Sequence, residues 1–131
     1  MDSVNRYRRT KGLKAIPTNT CLCRTAEAHA RQLNKNQARK NDWKDCKYKE
    51  NPNCMWKKPK EICGYQNKGF ENWAGYENEE GSMTVKTAID FWMKSPGTKS
   101  MILNTGNWKN IEWKGMGASV AGGYALLWFG D

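Results

Sequence analysis

The stretch IEWKGMGASVAGGYALLWF, residues 111–129, places apolar and aromatic side chains on both sides of a Gly122-Gly123 pair. It reads as two strands, 111–119 and 124–129, joined across Val120-Ala121-Gly122-Gly123, because paired glycines supply the positive φ that a tight hairpin demands. Upstream of it the apolar period changes from two to about 3.6. Leu22, Ala26, Ala30 and Leu33 are spaced four, four and three apart, which puts them on one helical face. Thr18-Asn19-Thr20 offers N-cap side chains to that helix. Helices early and in the middle, with strands late, predict an α+β fold in which helices cover an antiparallel sheet.

Other segments fill in this outline. Residues 2–11 form a short helix candidate with Val4 and Tyr7 inward, the arginines outward and Gly12 at its end. Ser82 or Thr84 caps a later helix whose stripe is Val85, Ala88, Ile89 and Trp92, and Ser95-Pro96-Gly97 stops it. Residues 34–69, with Pro52 and Pro59, read as a long irregular segment, a kind that is normally functional or held by disulfides. No internal repeat is visible.

At 131 residues the chain suits one domain, 1–131, and is too short for two. Seven Trp and five Tyr supply large apolar surfaces to a core. No run approaches the roughly 20 apolar residues of a membrane-spanning helix. The opening MDSVNR has no apolar signal core, so either the chain is cytosolic or a signal segment has been removed. The cysteines favour the second. Cys21, Cys23, Cys46, Cys54 and Cys63 contain no Cys-x-x-Cys, which weakens metal and redox readings. Three of them fall in the irregular segment, where a staple stabilises most, so disulfides and a secreted, extracellular location are expected. The odd count leaves one cysteine free or paired with another molecule, and Cys21 and Cys23, two apart on a helix, cannot pair with each other.

Formal charge is +9, distributed unevenly: residues 1–66 carry 16 Lys and Arg against 6 acids, and residues 67–131 carry 6 against 7. A one-sided basic surface suits a polyanion, whereas its plain alternative is a solvated face that maintains solubility.

Several blocks, in order, resemble the CAP superfamily of cysteine-rich secretory, antigen and pathogenesis-related proteins, also called SCP domains. Val4-Asn5-Arg6-Tyr7-Arg8 with Gly12-Leu13 resembles its opening, and Ala26-Glu27-Ala28-His29-Ala30 its second-helix block. Phe70-Glu71-Asn72-Trp73-Ala74 resembles "G-E-N-I-A", and Ala88-Ile89-Asp90-Phe91-Trp92 resembles "A-V-x-x-W". Ser95-Pro96-Gly97-Thr98-Lys99 with Ile102-Leu103-Asn104 resembles "S-P-G-H-x-x-x-I-L-N". Gly115-Met116-Gly117 and Tyr124–Gly130 resemble the closing strands, and Cys54–Glu61 a block of some animal members. The resemblance implies an α-β-α sandwich.

It also implies a cleft in which two histidines and two carboxylates hold a divalent metal, and here the matching positions are depleted. Glu71 keeps one carboxylate, Thr98 stands where a histidine would, and the second carboxylate falls near Ser95. The other histidine would lie within 34–69, which has none. The sequence therefore predicts a degenerate site with no metal, no cofactor and no catalytic residue. The structural role expected for Glu71 is a carboxylate accepting backbone N–H bonds, the alternative a residual catalytic or cation-binding acid. His29, beside the apolar helix face, is expected to be buried and hydrogen-bonded, with a ligand role as its alternative. Glu77, Glu79 and Glu80 read as solvated, or at most a weak calcium-binding patch.

The leading functional expectation is a noncatalytic secreted domain that binds a protein, an anionic glycan or a lipid, in defence, venom or extracellular signalling. Its first candidate surface is Arg39, Lys40, Trp43, Lys44, Lys47, Trp56, Lys57, Lys58 and Lys60, where cations alternate with aromatics. The plain alternative is a set of core tryptophans beside solvated lysines. A basic nucleic-acid binder and a hydrolase using Glu71 are the competing readings, with nucleic acid the less favoured partner. The sequence leaves oligomeric state open.

Overall fold

The computed structural model describes residues 2–35, 42–75 and 83–131. Arg39, Lys40, Glu77, Glu79, Glu80 and Ser82, named above, lie outside the described residues. Eight elements follow one another: α1 (Asp2–Thr10), α2 (Thr20–Asn34), α3 (Asn53–Cys63), β1 (Gly69–Gly75), α4 (Val85–Lys94), α5 (Pro96–Leu103), β2 (Gly115–Ala121) and β3 (Tyr124–Gly130). A 3₁₀ turn, Gly106–Trp108, separates α5 from β2.

The three strands form an antiparallel sheet in the order β1-β3-β2. Central strand β3 is buried on both faces, as its run Ala125-Leu126-Leu127-Trp128-Phe129 requires. Ala125, Leu127 and Phe129 join Val4, Ala88, Trp92, Ile102 and Met116 in a core beneath α1, α4 and α5. Leu126 and Trp128 join Leu22, Ala26, Ala30, Leu33 and Trp43 in a second core beneath α2. The sheet thus lies between two helical layers, the sandwich expected.

Asn19 caps α2, its Oδ1 accepting from the Leu22 N–H at 3.0 Å. The helix lies close on the sheet because β2 offers Gly117, where a Cβ would overlap the backbone of Leu22 and Cys23. The hairpin is tighter than expected: Val120 and Ala121 belong to β2, leaving Gly122-Gly123 as the turn with Gly122 at φ +54°.

Five expectations need correction. Helix α3 occupies the middle of segment 34–69, read as irregular, and strand β1 begins at its last residue, Gly69. Pro59 sits inside α3, where it removes one helical hydrogen bond, and disulfides tie both ends of that helix: Cys46–Cys54 and Cys21–Cys63. Cys23 is the free cysteine. Pro96 ends α4 but also begins α5, as proline suits a first helical position. Residues 111–114 precede the strand rather than form part of it. In α1, Tyr7 is exposed and Arg8 buried, the reverse of the expectation, because the Arg8 head group reaches the Ile102 carbonyl on α5. In α4, Val85 is 57% exposed although it was placed on the apolar stripe, while Thr84 supplies the cap.

Candidate functional site

Strand β1 places adjacent residues on opposite faces of the sheet, and this alternation governs the site. Glu71 pairs in register with Trp128 and so faces α2. There it meets His29 from the middle of that helix, with His29 Nδ1 against Glu71 Oε2. His29 Nε2 donates to the Asp42 carbonyl at 2.8 Å. The ring stacks on Trp43, centroids 4.1 Å apart, and Trp43 Nε1 donates to the Tyr48 hydroxyl at 2.7 Å.

The pair is sealed from solvent: the side chains of His29 and Glu71 are 0% and 1% exposed. Burial pushes the Glu71 carboxyl above its ordinary range, and His29 partly opposes that shift. The Tyr48 hydroxyl and the Trp128 indole also favour the ionised carboxylate. Glu71 Oε1 and Trp128 Nε1 nonetheless stop short of hydrogen-bond geometry. Burial, and then the Glu71 charge, raises the Tyr48 phenol. Since a carbonyl only accepts, Nε2 carries a proton, and one further proton lies between Nδ1 and Oε2. Both ring nitrogens are committed, so neither can serve as a base toward a substrate.

The residues matched to the metal cleft are not brought together. Thr98, on α5, donates from Oγ1 to Asn72 Oδ1 at 3.0 Å, on the face opposite Glu71. Ser95 closes α4, with Oγ donating to the Phe91 carbonyl at 3.0 Å. Among the described residues no group of three His, Cys, Asp or Glu side chains is placed to hold a metal. The donor set does not fit the metal that the family cleft implies, because its remaining acid is bound to His29 on the far side of the sheet. Glu71 is bonded to the His29 ring rather than to the backbone N–H groups expected. Sequence reading missed this pair. Its signal is the register: Glu71 lies one residue from Asn72, and His29 is one residue from the apolar face of α2.

The basic aromatic surface divides in two. Trp43 is core, and Lys58 is buried over its ring at 4.6 Å, paired with Asp45 at 2.5 Å and Glu61 at 3.3 Å. Lys58 holds the Asp45 carboxyl below its ordinary value. Lys44 and Lys47 are exposed on the loop that follows α2. Trp56, Lys57 and Lys60 instead line a groove of about 410 Å³ with Gln66, Asn67 and Lys68. Lys68 Nζ, which the sequence reading did not include, sits 4.3 Å from the Trp56 ring centroid. Asp131 also borders the groove, its carboxylate accepting from the Lys68 backbone N–H at 2.9 Å.

Comparison with known proteins adds three findings. The model of the cysteine-rich secretory protein family, CAP, matches residues 1–123. The fold is similar to that of an outer surface protein of Borrelia burgdorferi, with TM-score 0.73, 15% identity, and coverage of 99% of this chain and 87% of that one. It is also similar to a cysteine-rich secretory protein of Staphylococcus aureus, with TM-score 0.67 and 20% identity, covering 99% of this chain and 36% of that one. An extracellular protein of Bacillus anthracis containing an SCP domain gives TM-score 0.69 and 17% identity, covering 98% and 37%. The chain therefore spans little more than a third of the last two. No curated protein matches it.

Proposed function

The chain belongs to the cysteine-rich secretory protein (CAP) family, and from that premise we propose that it is an extracellular, noncatalytic domain that binds an anionic glycan. One observation carries the noncatalytic half: the chain's only histidine and the acid matched to the family cleft are bound to each other inside the core. Acid–base chemistry needs a group within reach of substrate, and here both are out of reach. Two disulfides among five cysteines support an oxidising, extracellular setting. Two proteins of similar fold, an outer surface protein and an extracellular protein, agree with it.

The Trp56 groove supplies the binding half. An indole face for a sugar ring, Lys57, Lys60 and Lys68 for acidic substituents, and the amides of Gln66 and Asn67 for hydroxyls make a carbohydrate-binding chemistry. Titration with a sulfated oligosaccharide tests the reading. Trp56→Ala weakens binding about tenfold or more, as the loss of a central aromatic anchor does. Full affinity in that variant, or no binding by the native chain, refutes the reading.

A further inference from the structure

A second groove, of about 450 Å³, lies where α1 meets the segment that precedes β2, and Arg8 lines it. Arg8 is 5% exposed and has no carboxylate partner among the described residues. Its Nε donates to the Lys14 carbonyl at 2.8 Å. Its Nη1 donates to the Ile102 carbonyl at 2.8 Å and to Asn104 Oδ1 at 2.6 Å. The first ties α1 to the segment that follows it and the other two join α1 to the end of α5; together they use three of the guanidinium's N–H donors. A guanidinium has five N–H donors, so the two on Nη2 have no partner among the described residues. Buried cations are normally paired, and a planar fork with a free edge matches an oxyanion.

The rim repeats the same charge. Lys14, Lys109 and Lys114 line the groove against one acid, Glu112, which is itself held by Lys114 at 3.1 Å. Trp113 forms an apolar wall, with its Nε1 committed to the Met101 carbonyl at 2.8 Å. We propose that this groove binds a phosphate or sulfate group through Arg8 Nη2, with Lys14 and Lys109 at the rim, independently of the Trp56 groove.

The test uses the full chain at low ionic strength, with inorganic phosphate as probe and NMR observation of the arginine N–H signals. Saturable shifts of the Arg8 signals are expected. The double substitution Lys14→Ala and Lys109→Ala, which leaves the core untouched, weakens phosphate about tenfold. Arg8→Lys retains the charge but loses the fork and abolishes saturation, whereas Trp56→Ala leaves phosphate binding unchanged. Should Arg8→Lys fail to fold, the rim variant still decides. Vesicles of phosphatidylcholine containing phosphatidic acid, set against a soluble sugar phosphate, distinguish a lipid headgroup from a free ligand, and competition with inorganic phosphate by either supports the site. Unmoved Arg8 signals, or rim variants with native affinity, overturn it.

Discussion

Replacing His29 with leucine isolates what the buried pair contributes. Leucine is close to histidine in size and keeps contact with Trp43, so most of the loss comes from Glu71, stranded without a partner at 1% exposure. Removing one member of a buried pair typically costs about 3–5 kcal/mol, whereas replacing both with apolar groups is often nearly neutral. For a domain of this length that is a fall of roughly 10–20 °C in midpoint temperature. Urea unfolding of His29→Leu, Glu71→Leu and the double variant measures the coupling directly. The double variant should be more stable than His29→Leu, since it carries no orphaned charge. The pH dependence has a definite sign. The folded-state value of Glu71 is raised above the ordinary 4.5, so the cost of burying it is absent below that value. Stability is lost as pH rises through the raised folded value, and the His29→Leu deficit is larger at neutral pH than in acid. A loss below about 1 kcal/mol in His29→Leu, or a deficit that grows in acid, would refute the assignment of the pair to the core.

Three further outcomes follow from the packing. Gly117→Ala forces α2 off the sheet, because its Cβ meets the backbone of Leu22 and Cys23, and costs about 3 kcal/mol by thermal unfolding. Loss of Cys21–Cys63, whose partners are 42 residues apart, costs about 4 kcal/mol, and loss of Cys46–Cys54, eight apart, about 2.5, so serine pairs at each bridge should rank in that order in urea. Asp45→Asn lowers stability by under about 1 kcal/mol at neutral pH, because the carboxylate facing Lys58 is largely exposed. Since that carboxyl lies below its ordinary value, its contribution is present above the usual carboxylate range and fades as pH falls through the lowered value, which native and Asp45→Asn unfolding curves would show by converging in acid.

Much of the fold could be read from local patterns. The Leu22-Ala26-Ala30-Leu33 stripe, the Asn19 cap and the Gly122-Gly123 hairpin each declare themselves within a few residues. Helix α3 did not, because Pro59 and a lysine-rich composition mask a helix held by disulfides from elsewhere in the chain. The site was legible only in part. Motif order identified Glu71 and the absence of ligands around it. That Glu71 and Asn72 face opposite layers depends on strand register, and the pairing of His29 with Glu71 spans 42 residues. The buried state of Arg8 was hidden for the same reason: its acceptors on and just after α5 lie more than 90 residues away.

The most direct test of a noncatalytic domain that binds through its exposed face is one titration series. Native chain, Glu71→Gln and Trp56→Ala are each titrated with a sulfated oligosaccharide at a temperature where all three are folded. Native chain and Glu71→Gln should bind alike, and Trp56→Ala should bind about tenfold more weakly or worse. Loss of binding in Glu71→Gln with full affinity in Trp56→Ala would contradict the account.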